Sequence, residues 1–221
     1  MEIKTLYVIA GPNGIGKTTC TYDLVPHGVP VINSDEIAKQ VKLAGIAPNI
    51  NTQEYSNREA SKLVSENIDR QISFGIETNL CDVETWKFLI GIQKLGYRLQ
   101  LIFLSTNNIG ILNKRIEERT QRGEHFVTPT IVEERYITGL KLLNHYFDIP
   151  DKITLIDNSE NGVIILEKSG HSIEILSPLP EWVNKYLGNH LSTDKEKDIK
   201  AKDLASKDEV RKLYEDNLKK K

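Results

Sequence analysis

The stretch Leu6-Tyr7-Val8-Ile9-Ala10-Gly11-Pro12-Asn13-Gly14-Ile15-Gly16-Lys17-Thr18-Thr19 runs from a short apolar strand into a glycine-rich turn and on into the start of a helix. Gly11, four further residues, then Gly16, Lys17 and Thr18 match the phosphate-cradling pattern G-x-x-x-x-G-K-[ST] at every fixed position. The spacing has a physical reason. Glycines let the backbone of Gly11, Pro12, Asn13, Gly14, Ile15 and Gly16 curl until successive N–H groups of the loop, on to Thr19 and with Pro12 donating none, face one anion, and the following helix turns its positive end to the same place. Within that pattern Lys17 reaches the β- and γ-phosphates, and the Thr18 hydroxyl ligates Mg²⁺. The loop therefore predicts a nucleotide phosphate site with ATP and Mg²⁺ as its cofactors.

The rest of the 221-residue chain limits what can surround that loop. With 39% hydrophobic and 27% charged residues it is long enough for one α/β core. A net charge of −2 and the lack of an aromatic-basic surface argue against nucleic acid as a partner. Met1-Glu2-Ile3-Lys4 does not read as a signal peptide, and no apolar run approaches the roughly 18 residues of a membrane span, so the expectation is a cytoplasmic protein without a membrane partner. Cys20 and Cys81 lack metal-ligand spacing and read as ordinary reduced thiols.

Strand and helix patterns alternate along the chain, which predicts a mostly parallel sheet covered on both faces. Val29 to Asn33 reads as a second strand, with Asn33 and Glu36 at capping-box spacing for a helix that ends at Gly45. A long helix follows, with Ala60, Val64, Ile68 and Ile72 on one face and Gly75 as its stop. Gly75 to Asn79 is a brief strand, Asp82 caps a largely buried helix ended by Gly96, and Leu99 to Leu104 is the clearest central strand. Helices are expected from about Asn108 to Gln121 and from Thr128-Pro129 onward, then a last parallel strand, Asp151 to Asp157. Val163–Leu166 and Ile173–Ile175 flank a turn as an antiparallel hairpin at the sheet edge. From Ser192 the composition shifts to Lys, Asp and Glu, so the chain divides into a domain over residues 1–190 and a charged helix or tail over 191–221.

In open α/β sheets ligands sit beyond the carboxyl ends of the strands, which puts Asp35, Glu77, Thr78 and Asn79 on one rim with the loop. Asp35 is read either as an acid complementing a helix start or as the group serving an acceptor hydroxyl. A charge inside a short strand is costly unless it faces a cation or a ligand, so Glu77 is read as a metal or substrate contact. No acid follows Leu104, where Ser105 and Thr106 stand, and the second Mg²⁺ contact falls to Asp35 or Glu77. Arg115, Arg119 and Arg122 form a helical stripe running into a glycine-containing break, the layout of a lid that brings cations to a nucleotide, or else of a solvated face. His125, in the break, is a candidate substrate contact.

These blocks together, GPNGIGKTT (11–19), NSDEIA (33–38), YSNREA (55–60), GIETNL (75–80), RIEERTQRGEHFVTP (115–129), IVEERY (131–136) and LIDNS (155–159), resemble the zeta toxin family of phosphate-loop kinases. The resemblance spans roughly Ile3 to Pro178. It implies a three-layer P-loop kinase fold with a helical lid and a C-terminal edge hairpin. It also implies transfer of the ATP γ-phosphoryl group to a hydroxyl of a nucleotide-sugar such as UDP-N-acetylglucosamine, and a protein antitoxin as partner. By the same resemblance Lys17, Asp35 and Arg119 are catalytic, and Asp35, Glu77, Thr78 and Asn79 contact substrate; the lid reading of the stripe adds Arg115 and Arg122 to the nucleotide site, with His125 as a further candidate substrate contact. Ser61 lies near where the family has a further substrate-binding acid, and the lid between Arg119 and Pro129 is shorter than the family's. Kinases of another acceptor, an antibiotic or a polynucleotide end, and a nucleotide-dependent switch are the alternatives on this scaffold.

Overall fold

The computed structural model describes residues 3–20, 22–45, 51–121 and 126–191. Arg122, His125 and the charged segment from Ser192 lie outside the described residues. Seven strands, β1 (Thr5–Ala10), β2 (Val31–Ile32), β3 (Phe74–Thr78), β4 (Arg98–Ser105), β5 (Lys152–Asp157), β6 (Val163–Ser169) and β7 (Ser172–Ile175), form one sheet in the order β2-β3-β1-β4-β5-β6-β7. The first five run parallel, and β6 and β7 close the edge as the antiparallel hairpin the sequence predicts. All six residues of β1 are buried, as are Leu101 to Ser105 of β4. Side chains alternate between the two faces of a strand, so unbroken burial means that both faces are covered.

The covering helices are α2 (Ser34–Leu43), α3 (Thr52–Arg70), α4 (Val83–Lys94), α5 (Ile109–Gln121), α6 (Pro129–His145) and α7 (Glu181–Leu191), while α1 (Lys17–Cys20) directly follows the glycine loop. Their apolar faces supply Val64 and Ile68, Trp86 and Phe88, Leu112 and Ile116, Tyr136 and Leu140, and Trp182 and Leu187 to one core. None of the helices among the described residues is long and apolar enough to cross a membrane.

One helix end and one whole helix differ from the sequence reading. α3 stops at Arg70, and Gln71 takes the left-handed conformation there (φ 55°), its N–H bonding back to Asn67 and Ile68. Gly75 is not the stop; it lies inside β3, where Phe74 and Ile76 are buried on either side. Ile72 is accordingly beyond the helix and 40% exposed instead of facing the core. α7 is not anticipated at all, although Trp182, Val183, Tyr186 and Leu187 recur at helical spacing after Pro180. It packs in place through the Trp182 backbone N–H donating to Asn107 Oδ1 (2.9 Å) and the indole Nε1–H donating to Asp157 Oδ1 (3.1 Å).

Candidate active site

The order of strands decides where a ligand site forms. β1 connects to β2 on one side and the chain later returns to β4 on the other, so the crevice beyond the end of β1 is the switch point of the sheet. The glycine loop fills that crevice. Gly11 has φ 142°, and a Cβ there would collide with the Leu104 carbonyl at the end of β4; Gly14 has φ 76°, and its Cβ would stand 2.6 Å from the Leu112 carbonyl of α5. Only glycine fits either position, because the conformation is left-handed and a neighbouring backbone occupies the side-chain space.

Three long-range contacts brace the loop. Asn158, just past β5, donates from Nδ2 to the Ile15 carbonyl (2.6 Å); Arg115 of α5 donates to the Ile15 and Asn158 carbonyls (3.5 and 3.4 Å); and Arg135 of α6 donates to Asn13 Oδ1 (2.9 Å). Ile15 itself is fully buried. The buried Lys17 ammonium is held inside the loop, donating to the Gly11 and Pro12 carbonyls (2.9 and 3.2 Å) and to Asn79 Oδ1 (3.1 Å). Thr18 and Thr19 are exposed at the start of α1. The Thr18 hydroxyl donates to Glu77 Oε2 (3.1 Å).

That last pair brings together two of the residues expected near a Mg²⁺ ion. Register places Glu77 beside Ile9 in the neighbouring strand, so the half-buried carboxylate emerges where β1 enters the loop. A hydroxyl and a carboxylate are hard oxygen donors, and Mg²⁺ takes one or two such protein ligands while keeping waters and phosphate oxygens. The Thr18–Glu77 pair fits that ion. Among the described residues no group of three or more His, Cys, Asp or Glu could form a metal cage.

Beyond β3 the chain turns sharply. Leu80 is fully buried with φ 52°, a conformation that is uncommon for a side chain of this size, and its N–H donates to Thr78 Oγ1 (3.1 Å). The turn carries Asn79 to the Lys17 ammonium. Sequence reasoning thus names residues that the fold brings together in two pairs, Lys17 with Asn79 and Thr18 with Glu77. Asp35 is exposed in the first turn of α2, and its backbone N–H donates to the capping Asn33 Oδ1 (2.9 Å). Glu36 also bonds the cap through its N–H (3.3 Å), but its carboxylate accepts from Gln40 Nε2 (2.7 Å), so it does not take the carboxylate's part in a capping box. Arg115 is half-buried against the loop and Arg119 is exposed on the same helix.

A cavity of about 400 Å³ opens next to the loop. Its walls are the β1, β2 and β3 ends, one face of α2 (Asn33, Glu36, Ile37, Gln40, Val41) and one face of α3 (Tyr55, Glu59, Leu63). Thr18 and Glu77 line it as well, whereas Asp35 does not. Glu36, Glu59, Tyr55, Arg135 and Asn158 are site residues that sequence reasoning leaves out. For the α2 and α3 residues a signal existed: positions 33, 36, 37, 40, 41 and 55, 59, 63 share a face at helical spacing.

No protein-family model matches the chain. A relative in Haemophilus influenzae, described only as an uncharacterized protein, is 28% identical over 141 residues, covering 62% of this chain and 94% of its own. Among solved structures, AvrRxo1-ORF1:-ORF2 with ATP superposes with a TM-score of 0.63 at 14% identity, over 99% of this chain and 76% of that one. A chain of the PezAT chromosomal toxin–antitoxin system of Streptococcus pneumoniae gives 0.54 at 15% identity, over 100% of this chain and 88% of that one. At such identities the likeness is one of fold, and it shows that the mostly parallel α/β architecture of those proteins is also the architecture of this chain.

Proposed function

We propose that this chain is an ATP-dependent phosphotransferase that phosphorylates a hydroxyl group of a small molecule. The observation that carries the reading is that Thr18, at the end of the phosphate loop, bonds Glu77 and that both line the adjoining cavity, so that a nucleotide in the first and an acceptor in the second would meet there. The fold shared with a protein solved with ATP supports the choice of nucleotide.

In the transfer, an acceptor oxygen forms a bond to the γ-phosphorus while the bond from that phosphorus to the β,γ-bridging oxygen breaks. ADP leaves with the electron pair, and the hydroxyl proton passes to a carboxylate, for which the zeta toxin resemblance implies Asp35. Lys17 would leave its loop carbonyls for the β- and γ-phosphate oxygens. Arg115, Arg119 and Arg135, with Arg122 by its place in the helical stripe, would offer guanidinium donors to the developing charge. Thr18 and Glu77 would hold Mg²⁺, which when bound offsets phosphate charge. The resemblance implies UDP-N-acetylglucosamine as acceptor and a protein antitoxin as partner; the PezAT system is a toxin–antitoxin pair, which supports the second.

The test is Lys17→Ala. Phosphoryl transfer from ATP should fall by about 100-fold or more, since the variant loses a charge contact made in the transition state, while thermal melting shows a folded protein. Near-normal turnover in a folded variant overturns the reading.

A further inference from the structure

The cavity beside the loop has a sharply one-sided chemistry. Its polar lining includes three carboxylates, Glu36, Glu59 and Glu77, together with Thr18, Asn33, Gln40 and Tyr55, and among the described residues no Lys, Arg or His lines it. Lys17, Lys39, Lys42, Arg58 and Lys62 each adjoin a lining residue in sequence, yet none of them lines the cavity. Lys17 bonds Gly11, Pro12 and Asn79, and Arg58 sits over the Tyr55 ring at 5.5 Å without lining the cavity. The other half of the wall is apolar: Ile9, Val25, Val31, Ile32, Ile37, Val41 and Leu63.

A phosphate or carboxylate drawn into this space would leave water for like charges and hydrocarbon, with no described side-chain cation in the wall to balance it, while the Mg²⁺ that Thr18 and Glu77 would hold is shared with the nucleotide phosphates. A hydroxylated compound with an apolar face meets the opposite situation, because carboxylates accept from hydroxyl and ammonium groups and the apolar wall covers ring carbons. Two of the three acids already have partners, Glu77 in the Thr18 hydroxyl and Glu36 in Gln40. Glu59, half-buried on the cavity face of α3, has no salt-bridge partner among the described residues. It is the acid best placed to receive a protonated amine.

Resting on the phosphotransferase reading, we infer that the acceptor is a hydroxylated compound with an apolar face and no anionic group, and that a protonated amine on it is read by Glu59. The nucleotide-sugar implied by resemblance carries a diphosphate and falls outside this class.

The experiment offers the full chain, with ATP and Mg²⁺, pairs of compounds of which one member carries a phosphate or diphosphate and the other does not. Examples are amino sugars against their phosphates, nucleosides against their monophosphates, and N-acetylglucosamine against UDP-N-acetylglucosamine. Phosphorylated product is read by mass spectrometry, and ATP binding by calorimetry in wild type and Lys17→Ala. The expected result is a kcat/KM at least tenfold higher for the phosphate-free member of each productive pair. Glu59→Gln should raise KM at least tenfold for an amine-bearing acceptor and less than threefold for an uncharged one, with KM for ATP unchanged. A preference for the anionic members, UDP-N-acetylglucosamine included, overturns the inference, and so does a Glu59→Gln effect equal for both acceptor types. If no compound is phosphorylated while ATP still binds in a Lys17-dependent manner, the acceptor class is wrong and the nucleotide site stands. Loss of Lys17-dependent ATP binding overturns the phosphotransferase reading itself.

Discussion

In the proposed phosphotransferase, Thr18 is where the nucleotide half and the acceptor half of the site would meet. Its hydroxyl is exposed, faces Glu77 Oε2 and lines the cavity. Thr18→Val keeps the branched shape and removes the oxygen, so stability should move by no more than about 0.5 kcal/mol, as for other exposed positions. If the hydroxyl is a Mg²⁺ ligand, the Mg²⁺ concentration for half-maximal rate should rise by roughly tenfold or more. A Mg²⁺ titration of initial rates checks this, and an unchanged midpoint would remove Thr18 from the metal site. At this scale the sequence was legible where function is written locally. Lys17 and Thr18 follow from a contiguous motif, and Glu77 from the cost of a charge within a strand. Asn158 and Arg135 escaped notice because they reach Ile15 and Asn13 across 143 and 122 residues of chain, and such pairings are set by topology, not by neighbouring letters.

At the scale of elements, starts were easier to read than stops. Asn33 and Asp82 cap α2 and α4 with side-chain oxygens that accept from the first-turn N–H groups, a signal contained in four consecutive residues. The end of α3 carries no glycine, and Gln71 adopts φ 55° there because the helix must stop before β3 begins. A non-glycine residue in that conformation is strained by about 1 kcal/mol relative to glycine. Gln71→Gly should therefore raise stability by about 0.5 kcal/mol, the conformational gain being reduced by loss of the Lys4 Nζ bond to Gln71 Oε1 (2.6 Å) and by the greater chain entropy of glycine. Urea denaturation measures the change, and a destabilised variant would show that the Lys4 contact outweighs backbone strain. α7 went unread for a different reason. Its apolar residues matter only once Asn107 and Asp157, on distant elements, provide acceptors for Trp182.

For the whole molecule, alternating strand and helix patterns were enough to predict a parallel sheet covered on both faces, and the hairpin at its edge followed from two short apolar runs around a turn. What the pattern could not specify is how the parts lock together, and two buried tyrosines do part of that. Tyr97 OH donates to the Asn67 and Ile72 carbonyls (3.2 and 3.1 Å), tying the end of α3 to the segment before β4, and Tyr136 OH donates to the Thr106 carbonyl (2.8 Å), tying α6 to the end of β4. Burial pushes each phenol up from the ordinary 10.0 to about 12. The folded state thus keeps protons that the unfolded chain releases at lower pH. Their stabilising effect is fully present below pH 10 and is lost as pH rises from about 10 to about 12, the window between the unfolded and folded values. At about 1.4 kcal/mol per pH unit for each phenol, the two together should remove several kcal/mol across that window. Urea denaturation at a series of alkaline pH values should show the decline, and Tyr97→Phe should make it shallower by the contribution of one proton while lowering stability at neutral pH through loss of the two hydrogen bonds. An alkaline slope identical in Tyr97→Phe and wild type would mean that this phenol ionises in the folded protein without opening it.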